Sequence, residues 1–184
     1  MSEWFRLDID SADCNTWLLD IPQDANGHPT RLNVKNGEPF DGPVPLHTRT
    51  YSQGPHTGLH LGDGGVLFAR HDVAEMLVRI AGASIQRLPV VIDQQSADYE
   101  VINVLGFRDC IDQRRAVGPR WSEERPNAGD FQYLAKLPIL ADRLVDCRIC
   151  RPTNFPVAIL VHEEIRDALT AMGVSGGVSL TPTV

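Results

Sequence analysis

Two segments of this chain carry the same pattern, and it restricts the available folds more than any other feature. Residues 65–92 and 157–184 each hold a short apolar run, a stretch with apolar residues at helical spacing, and a second apolar run. In the first, Val73, Met76, Leu77 and Ile80 recur at i, i+3, i+4 and i+7, the stripe of an amphipathic helix. Shifting by 92 positions sets Ile165, Ala168, Leu169 and Met172 on those four residues, and Leu180 on Leu88. In the same register His162 falls on Arg70, and Glu163 on His71. What recurs is a packing surface: two strand–helix–strand units, related by duplication or by the common geometry of amphipathic helices after short strands.

The rest of the chain reads as β-structure and turns. WFRLDI, TWLLDI and RLNVK suggest short strands, separated by the turn signals DANGHP, NGEPFDGPVP, SQGP and GDGG. Helix is not expected before residue 70. DYEVINVLGF is too apolar for an edge strand, and FRDCID continues it or begins another. Residues 117–130, VGPRWSEERPNAGD, are polar and rich in Pro and Gly, the composition of a long mobile loop. Two apolar runs, FQYLAKLPIL and LVDCRIC, follow it. The expected fold class is α+β: a mixed, mostly antiparallel sheet with two amphipathic helices and an all-β N-terminal part. A division into a β-rich lobe at 1–62 and an α+β domain at 63–184 is expected, with one continuous domain as the alternative.

Charge narrows the partners. With 24 acidic against 17 basic residues the formal net charge is -7, which argues against a protein that holds nucleic acid by neutralising phosphates. No stretch approaches the roughly 20 apolar residues of a membrane span, and MSEWFRLDIDSADC lacks the pattern of a secretory signal, so the expected compartment is the cytoplasm. Cys14, Cys110, Cys147 and Cys150 are then expected as reduced thiols. Only Cys147 and Cys150 have metal-ligand spacing, and with no second pair CRIC reads as part of a strand.

The segment VHEEIRDALTAMG nearly spells a zinc-protease helix, which needs two imidazoles one turn apart and a glutamate between them. The second histidine is Arg166 here, so Glu163 and Glu164 read instead as first-turn acids at the positive end of a helix. His47, His56, His60 and Asp63 crowd a glycine-rich stretch and make the one alternative metal site, but Pro55 and Gly58 oppose a helix that would align them. Asp8, Asp10 and Asp13 form an acidic group without the calcium-loop pattern. Neither a nucleophile elbow nor a nucleotide-binding glycine loop occurs. Trp4 and Trp17 read as core, and Trp121, in the polar loop, as a contact residue.

The segments GVLFARHDVAEMLVRIAG, LPVVI, YEVINVLGFRDCID and VDCRICRPTNFPVAILVHEEIRDALTAMGVSGGVSLTPTV, with Asn103 and Asp112 as polar anchors, resemble a family of bacterial immunity proteins found beside polymorphic toxins, formerly a domain of unknown function. The resemblance covers residues 65–184; Cys150 and Leu180 stand where the family has aromatics. It implies a non-enzymatic, cofactor-free cytoplasmic protein that binds a cognate toxin and occludes its active site. The contact residues expected from exposure and polarity are Asp8, Asp10, Asp13, Trp121, Glu123 and Glu124. The competing readings are a metal-dependent enzyme built on the histidine region and a binding or scaffold module that reuses the fold.

Overall fold

The computed structural model describes residues 2–10, 17–30, 32 and 37–184, at 95–97 for the backbone alone. The expected strand RLNVK, apart from Leu32, lies outside the described residues, as do Asp13 and Cys14. In chain order the strands are β1 (Trp4–Ile9), β2 (Leu18–Leu19), β3 (Leu46–Thr48), β4 (Thr50–Ser52), β5 (Leu59–Leu61) and β6 (Leu67–Arg70). Helix α1 (His71–Ala81) leads to β7 (Ile85–Ile92), β8 (Gln95–Val104), β9 (Phe107–Arg108), β10 (Ile149–Pro152) and β11 (Ile159–His162), and α2 (Glu163–Ala171) to β12 (Val178–Pro182). The fold is α+β, with mixed, mostly antiparallel sheets and an N-terminal part built of strands.

One five-stranded sheet has the order β3-β7-β8-β6-β5, the other β12-β1-β11-β10-β9, and β2 pairs with β4 separately. In the first, β8 runs antiparallel to both β6 and β7, so the strands flanking α1 are parallel with a third strand between them. In the second, β1 does the same between β11 and β12. Both units are therefore split strand–helix–strand motifs. In the first the middle strand follows in sequence; in the second it comes from the start of the chain. The N-terminal strand is thus built into the same sheet as the last element, across the sequence boundary at residue 62.

The 92-residue offset holds where the units turn from strand to helix. β6 and β11 occupy equivalent positions, and Arg70 and His162 are the N-caps of α1 and α2. Asp72 steadies the first helix by pairing with Arg70 at 2.7 Å and accepting from the Val73 amide. In the second, the His162 ring accepts from the Glu164 amide at 3.3 Å. Gly82 closes α1 with φ 54°, a conformation that costs a side-chain-bearing residue about 1–2 kcal/mol. Val73, Met76 and Leu77 share one core with Ile165 and Leu169, and Ile80, Ala168 and Met172 pack against it.

Past the helices the offset fails. Leu180 packs on that shared core, opposite Leu7, whereas Leu88 belongs to a second core on the far face of its sheet. A slip of one residue accounts for this, because side chains alternate faces along a strand. The shared core also takes Phe5, Leu7, Leu67, Ile102 and Ile159, so both sheets and both helices close on it. The outer face of the first sheet is covered by Trp17, Leu19, Leu32 and Val66. The outer face of the second is covered by Ile111, Phe131, Leu134, Leu137 and Leu144 from the irregular segment between β9 and β10. FQYLAKLPIL supplies three of those side chains without forming a strand; the isolated bridges Ile111–Ile139 and Arg120–Phe131 and single hydrogen bonds, such as those of the Ile139 amide to Val184 and the Leu140 amide to Cys110, tie it down.

The β7–β8 hairpin turns on Asp93 and Gln94, both with left-handed φ (51° and 64°). Asp93 is held there by work elsewhere, since its carboxylate accepts from the Thr50 amide at 2.9 Å and hydroxyl at 2.6 Å. Among the described residues Gln94 has no such tie, so Gln94→Gly is expected to stabilise the fold by about 0.5–1 kcal/mol, read as a higher urea midpoint with unchanged slope.

Candidate functional site

The segment expected to be a free loop is pinned along its length. The amide of Trp121 donates to Asp130 and that of Gln132 to Pro119, while Gly129 donates back to the Trp121 carbonyl. Arg120 reaches Gly129 O and Gln113 Oε1, and its guanidinium lies 3.7 Å above the Phe131 ring, which is buried. The Phe131 amide in turn donates to Asn154, anchoring the excursion to the loop after β10. At its base, a Cβ on Gly118 would collide with the Tyr133 carbonyl, so glycine lets the two ends close. Polar composition signalled exposure correctly; it did not show how many backbone groups would find partners within the loop.

This excursion holds large apolar side chains in solvent: Val117 at 84% exposure, Tyr133 at 62% and Trp121 at 36%. Arg125 approaches the Trp121 ring at 5.9 Å. Glu123 and Glu124 are exposed in the adjoining turn. Tyr133 and Val117 were missed in the sequence because Tyr133 lies in an apolar run and Val117 has no pattern around it. The alternative signal was Gln132 and Lys136 flanking Tyr133, polar neighbours inside that run.

Of the N-terminal acids, Asp8 is bound to Arg6 at 2.7 Å and receives the Thr181 hydroxyl at 2.8 Å. Arg6 also donates to the Leu134 carbonyl at 2.8 Å. Asp8 and the base of the excursion are therefore joined through one guanidinium, a link that nothing in the sequence marks. Asp10 follows at the end of β1, its amide 3.5 Å from Gly177 O. Asp13 lies outside the described residues.

The histidine region is not assembled into one ligand set. His47 lines a small polar pocket with Gln23, Asp24, Arg49 and Asp93, and His56 stacks on Trp17 at 4.2 Å between ring centroids. His60 is fully buried below Trp17, and burial pushes its imidazole down to about 4. Asp63 turns back to accept from the Gly64 amide. Among the described residues no group of three or more His, Cys, Asp or Glu side chains is arranged to hold a metal ion.

A cleft of about 880 Å³ opens beside the start of α2. The buried pair Trp4 and His162, edge to face at 5.4 Å, lies at its wall, with Leu144 and the exposed Val145. Its two cations are already engaged, Arg148 with Glu164 at 2.9 Å and Arg166 with Glu3 at 2.7 Å. Glu163 and Glu164 sit in the first helical turn as expected, and Arg166 is an ion-pair residue at the rim.

Among the described residues no helix is long and apolar enough to cross a membrane. Compared with family models and with curated proteins, the chain matches none. The immunity-family resemblance therefore rests on the segments quoted above.

Proposed function

We propose that this chain is a cytoplasmic immunity protein that binds a cognate bacterial toxin and blocks its active site, with the excursion at 117–133 as the principal contact. One observation carries the reading: three large apolar side chains are held in solvent by a loop whose backbone is already hydrogen-bonded and whose base is packed into the core. Holding an aromatic anchor in its bound geometry removes much of the ordering cost of association. Trp and Tyr ringed by Arg and Glu are the composition of binding hot spots, and an interface of the usual ~1,600 Å² extends past the loop to the Arg6–Asp8 pair. Binding uses no cofactor.

The test is co-expression with the toxin encoded beside the chain's own gene. Growth is expected to be restored and the two proteins to co-purify; continued toxicity with no co-purification contradicts the proposal. Glu123 and Glu124 serve steering more than adhesion on this reading. Reversing both to Lys is expected to slow association with a basic toxin by about tenfold at low salt and to leave dissociation nearly unchanged, as read by surface binding kinetics.

A further inference from the structure

The cleft beside the start of α2 is walled by two N–H donors that bind nothing. Trp4 is 4% exposed and His162 5%, and both line it with their rings in edge-to-face contact. The His162 ring accepts from the Glu164 amide at Nδ1, so the neutral ring carries its proton on Nε2, where the Glu163 carboxylate stands 3.8 Å away, beyond hydrogen-bonding distance. The Trp4 indole N–H likewise has no acceptor among the described residues. Neither nitrogen is sealed from solvent as those of His60 are, and the open space beside both rings is the cleft. Buried ring N–H groups normally find an acceptor, so two without one on the same wall point to a ligand that brings oxygen atoms.

Charge decides which kind of oxygen. Glu3, Asp142, Glu163 and Glu164 line the cleft against two guanidiniums, those of Arg148 and Arg166. Arg148 takes Glu164 and Arg166 takes Glu3, which leaves Asp142 and Glu163 without an arginine or lysine at ion-pair distance among the described residues. An anionic ligand would meet this surplus of negative charge, whereas uncharged carbonyl oxygens satisfy the donors without that penalty. The two carboxylates call for cations, and Val145, 71% exposed on the same cleft, calls for apolar cover. A peptide supplies all three.

We propose that this cleft binds an extended basic segment of a partner protein, with arginine or lysine alternating with aliphatic residues. Its backbone carbonyls accept from Trp4 Nε1 and His162 Nε2, its cations pair with Asp142 and Glu163, and its aliphatic side chains cover Val145. Residues i and i+2 of an extended chain share a side, so two cations at that spacing face the two carboxylates together. The volume of about 880 Å³ accommodates a few residues of such a segment. No residue of 117–133 lines the cleft, so the inference does not rest on the role given to that excursion.

The probe is the acetylated, amidated pentapeptide Leu-Arg-Leu-Arg-Leu, titrated into the full chain and followed by the Trp4 indole and His162 ring signals in nitrogen–proton correlation spectra. Both signals are expected to shift saturably with Kd of about 1 mM or below at low salt. The same peptide with citrulline for both arginines keeps the shape and loses the charge, and is expected to bind about tenfold more weakly. Asp142→Asn combined with Glu163→Gln, checked by circular dichroism to be folded, is expected to weaken binding of the arginine peptide about tenfold and to flatten its salt dependence. Trp4→Phe keeps a buried ring, removes one donor, and is expected to weaken binding about fivefold, read at His162. The proposal is overturned if neither signal moves at about 5 mM peptide, or if the citrulline peptide or the double variant binds as tightly as the original pair. It is overturned in favour of a free polyamine if spermidine shifts both signals equally well, and in favour of a second copy of this chain if both shift on concentrating the protein alone.

Discussion

Arg151→Ala is expected to cost about 3–5 kcal/mol of stability, among the largest effects of any single substitution in this chain. Arg151 is 1% exposed and has no carboxylate beside it among the described residues; its guanidinium is held by the carbonyls of Pro156 at 2.8 Å and Gly65 at 2.9 Å. Gly65 precedes β6 while Arg151 lies in β10, so one side chain ties the two sheets together. Truncation leaves a large cavity and two carbonyls without their donor, each worth about 1–3 kcal/mol when buried. Arg151→Met separates the contributions. Burial pushes the Arg151 pKa down to about 10, which is a cost near 3 kcal/mol at neutral pH that an apolar side chain does not bear. The methionine variant keeps most of the volume and removes that cost while losing the two hydrogen bonds, so it is expected within about 1.5 kcal/mol of wild type. Urea unfolding of both variants checks this; an alanine variant within 1 kcal/mol of wild type contradicts the bridging role.

The second large effect is acid sensitivity through His60. Its two ring nitrogens meet no protein partner, and burial lowers its pKa from 6.5 to about 4. In the unfolded chain the imidazole takes up a proton as the pH falls through 6.5, whereas in the folded protein it stays neutral until about 4. Between those values the unfolded state binds more protons, so stability falls as the pH falls, by about 3 kcal/mol in total. Above pH 7 both states are neutral and the contribution is constant. His60→Leu removes the titrating group from its place beneath Trp17 and is expected to flatten this window, with stability at pH 7 at least that of wild type. Equal pH dependence of wild type and variant between 6.5 and 4, by urea unfolding, contradicts the assignment.

Local features of the fold were legible in the sequence because they depend on near neighbours. The stripe Val73, Met76, Leu77, Ile80 and its copy at 165–172 pick out both helices, and the first-turn acids Glu163 and Glu164 mark the start of the second. Long-range placement was not legible. Nothing local in WFRLDI says that Trp4 will face His162, or that β1 will split β11 from β12. The pairing of Leu180 with Leu88 failed because helical periodicity carries no information about the register of the strand that follows. FQYLAKLPIL is apolar for a reason other than strand formation: it covers a sheet face as an irregular layer.

The candidate site divides along the same line. The exposure of Trp121, Glu123 and Glu124 was legible from composition, since an aromatic in a polar Gly- and Pro-rich stretch has no core to enter. The bonds that stiffen the loop, Arg120 on Phe131 and Phe131 on Asn154, and the Arg6 bridge from Asp8 to Leu134, join residues whose meeting depends on the tertiary fold. The four residues of the histidine region are close in sequence, yet alternation along β5 turns His60 into the core while His47 and Asp63 take partners elsewhere.

The most direct measurement is the affinity of the wild-type chain and of Trp121→Ala for the purified cognate toxin that the proposed function requires, by titration calorimetry at fixed salt. Wild type is expected to bind with one-to-one stoichiometry, and Trp121→Ala to bind at least 30-fold more weakly with an unchanged unfolding midpoint, the loss of about 2 kcal/mol that marks a hot spot. Tight binding that is indifferent to Trp121, or no binding by the wild-type chain, would contradict the role assigned to this loop.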